Sequence, residues 1–335
     1  MGGYKFGAGV PSWNGVPMIG MSSPGKIPGL WSGSVLFVDG RAGSDGNRGL
    51  SSDKPLKTIQ KAVDLAGRDA TIYLRPLNAG VRYTENVVIP CTSNADHAKE
   101  GLSIIGTGNG RTTTRDQSCV WKGVVGVNSP AITANSSYNN FENLSFLSVL
   151  VQQGIGKSFG LLIRQNSATF QTGTTGFNIG STISNCNFLQ DQYLSPPADS
   201  IVSAIHFVAT DGHTIEGCKF MDCRVGISST GDATGNSCIS VLNNLFHGVA
   251  AKIGADMYMI DVAGLEVVGN TFGHAVPTQA CGSGALKKYV IVGGTVTGTL
   301  AGNFQGDLSV AAGTNNTITG LIAAGNWGLA GPWTS

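Results

Sequence analysis

Between Phe141 and Trp327 the apolar and polar positions repeat one short phrase: an aliphatic or aromatic residue, a small or polar pair containing Asn or Cys, then an aromatic. The copies are Phe141-Glu-Asn-Leu-Ser-Phe146, Ile183-Ser-Asn-Cys-Asn-Phe188, Ile215-Glu-Gly-Cys-Lys-Phe220, Val241-Leu-Asn-Asn-Leu-Phe246 and Val267-Val-Gly-Asn-Thr-Phe272. Two looser copies end at Phe304 and Trp327, and the aromatics stand 42, 32, 26, 26, 32 and 23 residues apart. Self-similarity at this spacing marks a solenoid, a propeller or an array.

Each copy is short and alternating, and no helical spacing of apolar residues runs through the region. A second apolar run often precedes it, as in Ala204–Ala209, Met257–Val262 and Lys288–Val292. Strand, Gly or Asn turn, strand and variable loop make one coil of a parallel β-helix. A propeller blade needs about 40–45 residues, more than the shorter gaps allow. Stacked coils place like side chains over one another at about 4.8 Å. The aromatics Phe146, Phe188, Phe220, Phe246, Phe272, Phe304 and Trp327 are therefore predicted to form a structural ladder. Cys186, Cys218, Asn244 and Asn270, two places before their aromatics, are predicted to form an inward column beside it.

Ahead of the repeats the pattern changes. Val35–Val38 reads as a strand, 39–49 as a Gly/Asp/Asn loop, and 53–66 as a helix with Pro55 in its first turn and Leu56, Ile59, Val63 and Ala66 on one face. The open end of a solenoid must be covered, and this helix is suited to capping it. Thr71–Leu74, Asn86–Ile89 and Leu102–Ile105 then begin the stack.

The run Gly49-Leu-Ser-x-Asp-x-Pro-x-Lys-Thr-Ile-Gln-x-Ala-Val63, an Ile-Tyr-Leu strand and Tyr83-x-Glu-Asn-Val-Val-Ile89 together resemble the opening of the pectate-lyase-like right-handed parallel β-helix superfamily. The likeness covers residues 35–90 well and the later coils only in style. It implies an all-β, right-handed solenoid over 35–335. The leading Tyr4-Lys-Phe-Gly-Ala-Gly-Val-Pro-Ser segment is similar to proteins of tailed-phage structural modules. That second likeness implies a virion surface component, typically a homotrimer.

Residues 1–34 hold nine Gly and four Pro, with Lys5 and Lys26 the only charges. Such a segment forms neither a helix nor a long strand. Its apolar residues, Tyr4, Phe6, Trp13, Met18, Ile19, Ile27, Leu30 and Trp31 among them, suit an extended arm that docks on another subunit or on a capsid or other virion protein.

Charged residues are 12% of the 335 and the net charge is +1, with no basic block, which argues against a nucleic-acid footprint. No apolar run is long enough to cross a membrane as a helix, and the first residues show no secretory signal pattern. The expected location is the virion, after synthesis in a host cytoplasm. Seven cysteines without a Cys-x-x-Cys pair read as free thiols rather than a zinc site or a disulfide framework. No metal or cofactor is expected: the 39–47 loop lacks the terminal Glu of a calcium-binding EF-hand.

Enzymes built on such coils cleave polysaccharides, and hydrolysis needs two carboxylates across a groove. Asp191 and Asp222, three and two places after Phe188 and Phe220, are the candidate pair, with Asp199, Asp211, Glu216, His213 and Arg224 in the same coils. The paired Asp and Gly-His-Gly turn of the superfamily's lyases and polygalacturonases are absent; Thr210-Asp-Gly-His213 is a partial echo. The sequence therefore favours a non-enzymatic trimeric capsid decoration or head spike. A depolymerase, a lyase or a glycan-binding spike touching a host surface glycan is the alternative.

Overall fold

The computed structural model describes residues 12–13, 16–17, 34–77, 82–91, 99–108, 120–122, 130–148, 157–164, 178–190, 202–221, 223, 225–230, 235–248, 255–274, 288–305, 310–312, 317–324 and 327–328. It is a parallel β-helix. Among these residues, all described pairings are parallel except one short antiparallel pair, Ser12–Trp13 with Val16–Pro17. The arm's predicted anchors Tyr4, Phe6, Trp13, Met18, Ile19, Ile27, Leu30 and Trp31 have side chains outside the described residues.

One coil shows the plan. Val202–Val208 forms a first face, Thr210–Glu216 a middle face and Lys219–Met221 a third, after which Val225–Thr230 begins the next coil. The first and middle rows join into one 17-stranded sheet, and the third rows form a 9-stranded sheet.

The corner between the middle and third faces explains the polar pair of the repeated phrase. Asn143, Asn185, Gly217, Asn243, Gly269 and Gly302 occupy that corner in turn, all with φ between 52° and 67°. Asn and Gly tolerate this left-handed conformation better than other residues.

Just inside the corner runs the Cys/Asn column, and every member donates to the carbonyl of the coil before. Cys186 Sγ donates to Phe141 O at 3.5 Å and Cys218 Sγ to Ile183 O at 3.6 Å. Asn244, Asn270 and Asn303 Nδ2 donate to Ile215, Val241 and Val267 O at 3.0, 2.8 and 2.9 Å. A weak thiol donor and a strong amide donor thus fill the same post.

Phe146, Phe188, Phe220, Phe246 and Phe272 are buried in the third face and stack with centroids 4.9, 5.0, 4.6 and 4.8 Å apart. The rings lie against backbone on the first face. A methyl group on Gly226 would stand 2.8 Å from both the Asp256 carbonyl oxygen and a Phe246 ring carbon.

The ladder does not continue as the sequence suggested. Phe304 pairs with Thr271, Gln305 takes the place opposite Phe272, and Trp327 pairs with Phe304. The phrase is one residue shorter there, with no residue between Asn303 and Phe304, and a slip of one changes the register position.

The capping helix also differs from expectation: it spans Ile59–Leu65, not 53–66. Leu56 is held extended against Val38 by a parallel bridge, which leaves Pro55 in the loop rather than in a helical turn. Thr58 caps the helix through Lys61 N, and Glu85 accepts the N–H groups of Ile59 and Gln60 at 3.0 Å. At the other end Lys99 Nζ donates to the carbonyls of Val63 and Asp64 at 2.8 and 2.9 Å. Gln60 closes the strand edge by bonding both N–H and C=O of Val88. Ile59, Ala62 and Val63 are fully buried on the coil below.

Loop 39–49 is bonded within itself and to the helix entry. Asp39 accepts the N–H groups of Arg41 and Ala42 and pairs with Arg75 at 2.8 Å, while Asp45 accepts those of Lys57 and Thr58.

Candidate active site on the middle face

Register makes the outer surface of the middle face a set of straight columns. One column reads Phe37, Tyr73, Ile105, Glu142, Ser184, Glu216, Leu242, Val268, each paired with the next. Each follows a buried residue, from Leu36, Ile72, Ile104 and Phe141 to Ile183, Ile215, Val241 and Val267. Strand alternation therefore turns the column outward. Beside it runs a polar column that includes Asn140, Thr182, Thr214, Ser240 and Glu266.

Glu142 and Glu216 are two coils apart in one column, with Ser184 between them. Two interstrand steps amount to about 9.5 Å between their backbones. Their surroundings differ. Glu142 is 9% exposed although it belongs to the outer surface, whereas Glu216 is exposed. Burial raises the Glu142 carboxyl above the usual range, and a hydrogen bond with the Asn140 side chain offsets part of this. The Tyr73 phenol is raised too, first by burial and then by the charge of Glu142. Its ring stacks on Phe37 at 5.9 Å.

Other acids on this face already have partners: Asp211 Oδ1 accepts from Ser237 Oγ at 2.7 Å, and Glu266 Oε2 from Ser240 Oγ at 2.9 Å.

Sequence reasoning reaches Glu216 but not Glu142. Both stand directly after the aliphatic or aromatic residue that opens the phrase, so counting from that residue finds the pair. Counting from the closing aromatic leads instead to Asp191 and Asp222, which, with Asp199 and Arg224, lie outside the described residues.

His213 is not a surface group. Its Nδ1 accepts the Ser181 N–H at 3.0 Å and its Nε2 donates to Asn178 O at 3.0 Å, inside the coil and stacked on Phe207 at 5.2 Å. Burial lowers its pKa to about 4. His206 is likewise buried, with its pKa lowered to about 4. Its Nδ1 lies 2.7 Å from Ser228 Oγ, which donates to Ser203 Oγ at 2.8 Å. The three residues are at most 4% exposed, so this serine–histidine contact is out of reach of a dissolved substrate.

Among the described residues no three His, Cys, Asp or Glu side chains gather as a metal site. Cys186, Cys218 and Cys223 are buried, Cys91 is half-buried and Cys238 exposed.

No family model matches this sequence, and neither does any curated protein. Solved structures do share its outline. A DFA-IIIase from Arthrobacter chlorophenolicus A6 aligns over 77% of this chain and 58% of its own, with 16% identity and a TM-score of 0.48. A GH136 lacto-N-biosidase from Eubacterium ramulus aligns over 88% and 67%, with 11% identity and a TM-score of 0.35. A rhamnogalacturonan lyase aligns over 82% and 73%, with 12% identity and a TM-score of 0.36. The chain thus spans little more than half of the first of these. At such identities the likeness is one of fold and carries no activity across.

Proposed function

We propose that the protein binds a glycan along the outer surface of the middle face and hydrolyses it with Glu142 and Glu216. The observation that supports this is one column holding two carboxylates in unlike surroundings with a small residue, Ser184, between them. In this reading Glu142, whose carboxyl burial raises above the usual range, is the general acid that gives its proton to the leaving oxygen. Glu216, exposed, is the general base that takes a proton from the attacking water. A backbone spacing of about 9.5 Å suits the wider arrangement of inverting hydrolases, in which carboxyl groups about 6.5–9.5 Å apart leave room for water. The glycosidic bond breaks as the water–carbon bond forms, and each carboxyl ends in the other's starting protonation state. This makes the glycan-active alternative the preferred one; the side chains of the arm anchors that motivated a trimeric virion component lie outside the described residues.

The test is release of reducing ends from a panel of polysaccharides by the purified protein, with Glu142→Gln and Glu216→Gln alongside. Each variant is expected to lose at least 100-fold in rate while still unfolding in one cooperative transition above the assay temperature. Turnover that survives both substitutions would overturn the assignment.

A further inference from the structure

We infer that the glycan taken by this face is uncharged, and that it lies along the solenoid axis with apolar ring faces on the residues flanking the acid pair. This rests on the glycan-hydrolase reading and adds the substrate class. The acids alone would not decide it; their flanks do. On one side of Glu142 stands Ile105, and beyond Glu216 stand Leu242 and Val268, all half-buried and all in the same column. Half-exposed aliphatic side chains in an outward row suit the C–H faces of neutral sugars, and the neighbouring Thr182, Thr214 and Ser240 supply hydroxyls for theirs.

The charge of the face points the same way. Among the described residues these two columns and the adjoining Asp211 carry acidic groups, Glu142, Glu216, Glu266 and Asp211, and no Lys or Arg. A polyuronate or sulfated chain laid there would set its anions against a row of carboxylates with no cation to pair them. Opposed like charges at close range disfavour binding. Lys219 belongs to the third face, around the corner, Arg164 ends a first-face strand, and Arg75 is paired with Asp39 at 2.8 Å.

The experiment is affinity electrophoresis of the Glu142→Gln protein, which separates binding from turnover. The gels contain either neutral polymers (galactomannan, β-glucan, α-glucan) or anionic ones (polygalacturonate, alginate). At least one neutral polymer is expected to retard the protein with a dissociation constant at least tenfold tighter than either anionic polymer. That retardation should be insensitive to salt between about 20 and 300 mM, a range that spans weak and strong screening. Leu242→Arg should weaken the neutral interaction and strengthen the anionic one. Retardation by polygalacturonate or alginate equal to or tighter than by every neutral polymer overturns the inference, as does retardation by neither class. If a neutral polymer binds but wild-type protein does not cleave it, the substrate-class inference stands and the hydrolytic reading falls. Cleavage of a polyuronate that depends on Glu142 does the opposite: hydrolysis stands and the neutral substrate class falls.

Discussion

Asn244 and Asn270 are joined by two hydrogen bonds to one atom: Asn270 Oδ1 accepts both the Asn244 backbone N–H at 2.9 Å and its Nδ2 at 3.0 Å. Asn270 repeats the relationship with Asn303 Oδ1, both times at 3.0 Å. The column is buried, with Asn270 fully enclosed, so each amide is answered inside the solenoid, by the carbonyl of the coil before and the asparagine of the coil after.

Asn270→Ala would orphan the Asn244 N–H, remove the side-chain donor to the Val241 carbonyl and leave the Asn244 amide only its bond to Ile215 O. Leaving buried donors and acceptors unpaired costs about 1–3 kcal/mol each before relaxation, and a total near 3 kcal/mol is expected. Asn270→Cys should be milder, because Cys218 already serves the equivalent carbonyl of Ile183. Urea midpoints of the three proteins check this. Equal losses for Ala and Cys would mean that the carbonyl bond contributes nothing.

Phe220 is the central ring of the five, 5.0 Å from Phe188 and 4.6 Å from Phe246. Phe220→Ala opens a gap that its neighbours cannot close without leaving their own coils, so a loss of about 3–5 kcal/mol is expected. Phe220→Asp should cost more, since it adds an unpaired charge to the same hole. Thermal unfolding would show it. An aspartate variant as stable as the wild type would contradict the inward placement of this residue.

These side chains also show which parts of the fold are legible in the chain. The Cys/Asn column can be read because coil stacking turns a sequence offset into a place in space: from Cys186 to Asn270, two residues before the aromatic is the inner side of the corner. The same logic puts Phe304 in the wrong register, since the residue missing after Asn303 looks like mere looseness in the repeat. The helix start is misplaced for a different reason. Its first two N–H groups are satisfied by Glu85, 26 residues from Ile59, and the local cap at Thr58 follows Asp53 and Pro55, which read as an earlier start. Glu142 stands in the phrase itself, yet nothing in the sequence says that an outward residue will be buried. His213, which its Asp-Gly-His run suggests as chemistry, is an internal fastener; strand parity turns it inward with Ile215.

His206 and His213, the two buried histidines among the described residues, set an acid limit on the fold. His213 Nδ1 already accepts the Ser181 N–H, and Nε2 already donates to Asn178 O; a second proton would point one donor at another. His206 sits between Ser228 and Thr230, at 2.7 and 3.3 Å. Burial holds both near pKa 4, the opposing contributions being hydrogen bonds and, for His213, the Asp211 charge. Unfolded histidine titrates near 6.5. Between pH 6.5 and 4 the unfolded chain therefore binds more protons than the folded one, so stability rises with pH across that window and levels off above it. The shift corresponds to roughly 3 kcal/mol per histidine once pH has fallen below 4. Glu142 and Glu85, whose carboxyls are raised by burial, act in the opposite sense, adding stability below their unfolded pKa and losing it as pH rises through the folded one. Comparison with variants therefore isolates the histidines. Denaturant midpoints at pH 7.5, 5.5 and 4.5 should fall steadily for the wild type and far less for a His206→Gln/His213→Gln double variant. The same pH slope in both proteins would mean that these rings are not the groups that take up the protons.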